Sequence, residues 1–122
     1  MKENPKKASK QELSSSQNNA FKISPPKEKC NDKKCPFHGA LKLRGMTFIG
    51  NIIKTDLHRT ATIEFERQFF IQKYERKEVR FSRLKAHNPS CIGAKIGELV
   101  KIVETRPLSK TKNFVIVEVI RK

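Results

Sequence analysis

Residues 97–120 read Gly-Glu-Leu-Val-Lys-Ile-Val-Glu-Thr-Arg-Pro-Leu-Ser-Lys-Thr-Lys-Asn-Phe-Val-Ile-Val-Glu-Val-Ile. They contain two apolar runs, residues 99–103 and 114–120, which are rich in Val and Ile and too short for stable helices. β-Branched side chains crowd a helical turn but pack well on a pleated sheet. Pro107 cannot donate a ladder hydrogen bond, so strand pairing should stop beside it. The pattern therefore predicts a strand, a short basic loop and a second strand.

Alternation within the second run indicates how that strand is buried. Successive side chains of a strand point to opposite faces. One face carries Val115, Val117 and Val119, and the other carries Phe114, Ile116 and Glu118. Because the first set is wholly apolar, we expect the burial of that face to be strongly specified.

Three motifs carry a resemblance to a known family. Residues 97–109 closely resemble the signature of the seventeenth protein of the small ribosomal subunit, in which Asp is usual at the position of Glu98. Cys-Pro-Phe-His-Gly at residues 35–39 and Ala-His-Asn-Pro-Ser-Cys-Ile at residues 86–92 are similar to the archaeal and eukaryotic branch of that family. The resemblance spans residues 35–120. It implies an all-β, five-stranded OB-fold barrel that binds small-subunit (16S-type) ribosomal RNA directly and supports assembly of the subunit.

Charge points to the same class of partner. The 122 residues include 27 Lys and Arg against 12 Asp and Glu, a formal net charge of +15. Such an excess indicates a polyanionic partner, and nucleic acid is the leading candidate. An anionic membrane surface would also suit the charge, but binding there requires an amphipathic helix or a long apolar segment, and the sequence shows neither. We expect rRNA and neighbouring ribosomal proteins as partners, and no membrane or small-molecule substrate.

The first 29 residues differ in composition from the remainder. Residues 1–29 are rich in Lys, Ser, Asn, Gln and Pro and poor in apolar residues, so we expect a disordered basic extension that contributes little to folding. No apolar core of a signal peptide is present, which predicts a cytoplasmic protein. Residues 30–122 are predicted to form one small domain, in which residues 30–43 are an arm packed on the barrel.

The arm contains residues that resemble metal ligands. Cys30, Cys35 and His38 lack the Cys-x-x-Cys spacing of common zinc modules, and a fourth ligand would have to come from Cys91 or His87. The alternative is that Cys35 packs on the barrel as a small apolar side chain. We adopt that alternative and predict no metal and no cofactor.

Three further strands precede the two already described. Residues 46–53 form the first, with Gly50 placed for a bulge or sharp bend. Residues 60–72 form the second, in which apolar residues alternate with polar ones except at Arg67, which predicts a bulge or a position at the barrel rim. Residues 73–85 form the third.

The connection that follows is short and rich in turn-forming residues. Residues 92–96 have room for one helical turn at most, which predicts a short helical link. Three strands, a link and two strands fit an OB-fold, although a five-stranded SH3-like barrel would give almost the same periodicity.

Residues 73–85 are the densest basic segment. Their apolar minority, Tyr74, Val79, Phe81 and Leu84, should anchor the strand. A soluble edge strand also uses such charge, but the overall charge and the second basic loop favour RNA binding. The predicted rRNA-binding residues are Arg106, Ser109, Lys110, Thr111 and Lys112 on the loop, Lys73, Arg76, Lys77, Arg80, Arg83 and Lys85 on the basic segment, and Lys54, Arg59, His87 and Asn88 elsewhere.

Two other classes of function fit the sequence less well. An enzyme would need a catalytic constellation, and the best available pair is His87 with Cys91, without a recognisable nucleophile or Gly-rich phosphate motif. We therefore predict no catalysis. A sequence-tolerant single-strand binder would need exposed aromatic residues, yet Phe65 and Phe69 have the parity of core residues. Basic loops without a full stacking platform suit folded RNA.

Overall fold

The computed structural model describes residues 23–121, and all of its regular elements are strands. They are β1 (Leu43–Asp56), β2 (Thr60–Ile71), β3 (Arg76–His87), β4 (Leu99–Thr105) and β5 (Lys112–Arg121). The strands form a closed barrel in the order β1-β2-β3-β5-β4. β3 and β5 pair in parallel, and the other neighbours are antiparallel. The predicted all-β OB-fold barrel is confirmed.

β1 is longer than predicted because it pairs with strands on both sides. Its register shifts between Ile52 and Lys54 against β2, so the bulge lies there and not at Gly50. Gly50 has a different role. A Cβ atom at this position would lie 2.5 Å from the carbonyl oxygen of Glu64 and 2.8 Å from a methyl group of Ile63. Glycine therefore lets β1 approach β2 closely where the strands cross the core.

β5 is buried on both faces because apolar residues cover the outside of the barrel as well as the inside. Ile116 packs in the barrel interior with Ile52, Ile63, Val100 and Ile102. On the outer face, Val115 and Val117 pack with Val103 of β4 and with two residues from the preceding segment, Ile23 and Leu41.

The strict alternation predicted for β5 ends at a bulge. Lys101 of β4 is opposite Glu118, whereas Ile102 is opposite Ile116, so Val117 is an extra residue in the register. Val119 consequently packs against the interior cluster and not beside Val117.

The predicted short helical link is wrong. Residues 88–98 form turns, and no helix occurs in the described range. The N–H groups of Ile92 and Gly93 both donate to the Pro89 carbonyl, at 3.1 and 3.0 Å, which closes a single turn. Gly93 then adopts a left-handed φ of 54°, which ends the turn. No helix long and apolar enough to cross a membrane occurs among the described residues.

The β2–β3 hairpin extends past the barrel. Its register is unbroken from Thr60 opposite His87 to Ile71 opposite Arg76, so the bulge predicted at Arg67 is absent. Arg67 is exposed because it lies beyond the barrel core. The prediction that Tyr74, Val79, Phe81 and Leu84 anchor the third strand is also largely wrong. Of these four residues, Leu84 alone packs against the core, whereas Tyr74, Val79 and Phe81 are 64%, 54% and 60% exposed.

Candidate nucleic-acid interface

The β4–β5 loop presents most of its predicted contact residues to solvent. Arg106, Ser109, Lys110 and Thr111 are exposed, and Lys112, the first residue of β5, is half-buried. Pairing of β4 ends at Thr105, two residues before Pro107, as predicted. The loop is therefore a short basic connection held between two paired strands.

Internal hydrogen bonds hold this loop in shape. The N–H groups of Leu108 and Ser109 donate to the Lys112 carbonyl at 2.8 and 3.4 Å, and the Lys112 N–H donates to the Ser109 hydroxyl at 3.2 Å. The Thr105 hydroxyl, at the start of the loop, lies 3.1 Å from the carbonyl oxygen of Arg106 and 3.3 Å from that of Asn113. Because the loop is already held in one shape, less conformational entropy is lost when a partner binds.

The β4–β5 loop lies beside the C-terminal end of β3, so the two predicted basic surfaces adjoin each other. Lys112 is opposite Lys85 in the parallel β3–β5 pair. Burial lowers the pKa of Lys112, and the positive charge of Lys34 lowers it further, while Asp32 opposes the shift. Lys34 of the arm is therefore close to Lys112. We call Lys34, Lys85 and Lys112 the basic seam.

Cations on the projecting hairpin occupy both of its faces. Side chains alternate along β3, so Lys77, Arg83 and Lys85 lie on one face and Arg76 and Arg80 on the other. The basic segment is thus a two-sided projection and not a single patch.

Two of the hairpin arginines have acidic neighbours. Arg83 lies 3.1 Å from Glu64 across the strand pair, and Arg80 lies 3.0 Å from Glu78. Arg80 also stacks over the ring of Phe69 at 4.1 Å. These pairs are solvent-exposed and therefore weak, so the arginines can exchange a carboxylate for a phosphate at low cost.

Exposed aromatic side chains accompany these cations, and the sequence pattern missed one of them. Phe65 stacks on Phe48 at 4.9 Å, but Phe69 is 45% exposed despite its core parity. Phe70 and Phe81 are exposed too. Parity predicts which face a residue is on, but it does not show that the barrel ends before the strand does.

The remaining predicted contact residues have interactions within the protein. Arg59 and His87 both contact the same oxygen of Asp32, at 3.1 and 2.6 Å. The Asn88 side chain makes two hydrogen bonds to the backbone of Ala94, at 2.9 and 3.1 Å. Lys54, which is exposed, lies 3.5 Å from Asp56.

His87 is buried, with 3% of its surface exposed. Burial lowers its pKa, although the hydrogen bond to Asp32 and the negative charge of that carboxylate oppose the shift. The pair of His87 and Cys91 that an enzyme would have needed is not formed. His87 contacts Asp32, and Cys91 lies 3.5 Å from Cys35.

The structure also brings together four groups that could hold a metal ion. The ligand atoms of Cys30, Cys35, His38 and Cys91 all lie within 4.8 Å of one another. Of the two candidates that the sequence offered for a fourth ligand, Cys91 is in the cluster, and His87 is bound to Asp32 instead.

Comparison with known proteins identifies the family. The family model described as ribosomal protein S17 matches residues 50–118, more than half of the chain. The small ribosomal subunit protein uS17 of Nanoarchaeum equitans is 51% identical over 98 residues, which cover 80% of this chain and 87% of the relative. Those of Methanopyrus kandleri and Methanocaldococcus jannaschii are 47% and 46% identical, over 82% and 83% of this chain and 85% and 86% of the relatives. As the sequence predicted, the chain belongs to the ribosomal protein S17 family, a family of structural proteins and not of enzymes.

Proposed function

We propose that this protein binds the 16S-type rRNA of the small ribosomal subunit directly and supports assembly of that subunit in the cytoplasm, beside neighbouring ribosomal proteins. The names of the matched archaeal relatives support the ribosomal setting. The basic seam and the adjoining β4–β5 loop support direct contact with RNA, and they are the observation that carries the proposal.

The seam suits a phosphate group. Lys34 and Lys112 are close enough for one charge to lower the pKa of the other side chain, so an anion placed between them relieves repulsion. Lys110 and Arg106 add exposed positive charge on the same loop. Because the loop is already closed by its own hydrogen bonds, little conformational entropy is lost when it binds.

The projecting hairpin provides a second contact surface. Cations on both faces allow phosphates to be contacted on either side, which suits insertion between RNA segments. The exposed rings of Phe70 and Phe81 can stack on unpaired bases at the same place. Arg59, His87 and Asn88 contribute differently, by holding the turns that flank these surfaces.

The test is the double substitution Lys110→Ala with Lys112→Ala, assayed against a folded small-subunit rRNA transcript. Each lost phosphate contact should flatten the plot of log affinity against log salt by about 0.7–0.9. Affinity should therefore fall, and the slope should drop by somewhat under two. An excess of unstructured oligonucleotide should compete poorly, because the contacts are to folded RNA. Effective competition would instead indicate a general single-strand binder.

The matched control removes two exposed lysines outside the predicted surface, Lys27→Ala with Lys95→Ala. This variant loses the same net charge, so it should show only the small effect of reduced overall attraction. Equal losses in the two variants would mean that the loop supplies only general positive charge. Thermal melts of both variants would verify that the barrel remains folded.

A further inference from the structure

Three thiols and one imidazole meet at one point on the outside of the barrel. The Nδ1 atom of His38 lies 3.3 Å from the Cys30 sulfur and 3.6 Å from the Cys35 sulfur, and the sulfurs of Cys35 and Cys91 are 3.5 Å apart. A tetrahedral zinc ion with Zn–S bonds of about 2.3 Å and Zn–N bonds of about 2.0 Å places neighbouring ligand atoms about 3.3–3.8 Å apart. These three distances are those of a zinc site, and the other pairs of ligand atoms lie within 4.8 Å of each other.

Backbone N–H groups are aimed at two of the sulfurs. Those of His38 and Phe37 donate to the Cys35 sulfur, and that of Asp32 donates to the Cys30 sulfur. A cysteine that binds a metal ion does so as a thiolate, and such donors stabilise its negative charge.

Gly39 allows the arm to turn back tightly beside these ligands. Its N–H donates to the Cys35 carbonyl at 2.9 Å. A Cβ atom here would lie 2.4 Å from the Lys33 carbonyl oxygen and 2.7 Å from that of Cys35. The turn that brings Cys35 and His38 together therefore has no room for a side chain.

Packing alone explains only part of the cluster. Cys35 and Cys91 are buried, as ordinary apolar cysteines are, but Cys30 is half-buried and His38 is exposed. Burial of apolar surface gives no reason for these two polar groups to turn towards the buried sulfurs. Their exposure also leaves a route by which an ion can reach the site.

We propose that Cys30, Cys35, Nδ1 of His38 and Cys91 bind one Zn²⁺ ion in a closed, structural site. Three sulfur ligands and one imidazole nitrogen in tetrahedral arrangement are the donor set that zinc prefers. This proposal replaces the sequence-based prediction of no metal. The sequence offered Cys91 and His87 as possible fourth ligands, but Cys91 lies 56 positions from Cys35, so only the fold shows that it joins the cluster.

The ion would join the arm to the connection between β3 and β4. Three ligands come from the arm, and the fourth comes from the turn that follows Pro89. The same arm carries Asp32, which contacts Arg59 and His87, and Lys34 of the basic seam. Zinc would thus fix the arm on the barrel and keep Lys34 next to Lys112.

The test uses the full chain without a histidine tag, purified under reductant and without chelator. Native mass spectrometry and elemental analysis should find one zinc per chain. Cobalt(II) added to the metal-free protein should give the absorption of a tetrahedral site with sulfur-to-metal charge transfer. Cys91→Ser and His38→Ala should each weaken binding by more than about 100-fold, since even the loss of an outer partner of a metal ligand costs about 10- to 100-fold.

Two further variants separate loss of a ligand from loss of the fold. His38→Cys restores a fourth ligand and should retain one metal ion, with stronger charge-transfer absorption. His58→Ala removes an exposed histidine outside the cluster and should bind metal as the natural protein does. The proposal is overturned if the reduced natural protein takes up no stoichiometric zinc or cobalt, if Cys91→Ser binds metal unchanged, or if a disulfide between Cys35 and Cys91 persists under reductant.

Discussion

Asp32 is the residue that connects most parts of the molecule. One carboxylate oxygen accepts the N–H of Lys34 at 3.0 Å, which shapes the arm. The other oxygen contacts Arg59, in the turn between β1 and β2, and His87, at the end of β3. Although burial raises the pKa of Asp32, these hydrogen bonds, with that from Lys34 first, lower it overall. The carboxylate is therefore held ionised where three segments meet.

Asp32→Asn should reduce the free energy of unfolding by about 1–3 kcal/mol, because it leaves buried donors without a charged acceptor. Asp56→Asn is the matched control, since the ion pair of Asp56 with Lys54 is exposed and should be worth less than about 1 kcal/mol. Chemical denaturation of the two variants measures both effects. Equal, small losses would mean that Asp32 does not hold the arm to the barrel.

At the scale of elements, the sequence predicted the strands well and their surroundings less well. β4 and β5 are apolar, and Pro107 lies between them. Composition and the position of this proline were therefore enough to predict where the two strands lie. The outward-facing valines of β5 were expected to be buried, but the sequence could not show that Ile23 and Leu41 cover them, because that contact depends on packing between distant segments. For the same reason the sequence could offer Cys91 and His87 as a fourth ligand but could not decide between them.

The β2–β3 hairpin illustrates a second limit of sequence patterns. Alternation continues along β2 as far as Ile71, yet the core ends near Phe65. Past Phe65 the same alternation continues in the projecting part of the β2–β3 hairpin, where the apolar residues face solvent. A residue's burial there depends on where other strands stop pairing, and periodicity within one strand carries no such information.

Two alanine substitutions on this hairpin should therefore differ sharply in how much they lower the free energy of unfolding. Ile63→Ala, in the barrel half, should cost about 2–5 kcal/mol of stability because it leaves a cavity among fully buried residues. Phe81→Ala, in the projecting half, should change stability by less than about 0.5 kcal/mol because its ring is exposed. Denaturant titrations give both values. A core-like loss for Phe81 would mean that the hairpin folds back on the protein.

At the scale of the whole molecule, the barrel is a closed sheet that also has part of its outer face covered. Strand pairing closes the sheet, and the segment before β1 covers the outer face of β4 and β5. Ile23 is 6% exposed, and it packs in the outer cluster with Leu41, Val103, Val115 and Val117. Residues 1–22 lie outside the described range, and their predicted disorder remains a prediction.

Ile23 therefore marks the boundary between dispensable and stabilising parts of the extension. Removal of residues 1–22 should leave the melting temperature within a few degrees of that of the full chain, because their composition offers no core-forming pattern. Removal of residues 1–29 takes Ile23 away as well, and burial of an Ile side chain is worth about 1.5–3 kcal/mol. In so small a domain each kcal/mol lowers the melting temperature by about 4–8 °C, so a drop of more than about 6 °C is expected. Ile23→Ala in the full chain should reproduce most of this drop. If both truncations melted alike and Ile23→Ala had no effect, the outer cluster would not need its first residue, and the barrel alone would account for the stability of the protein.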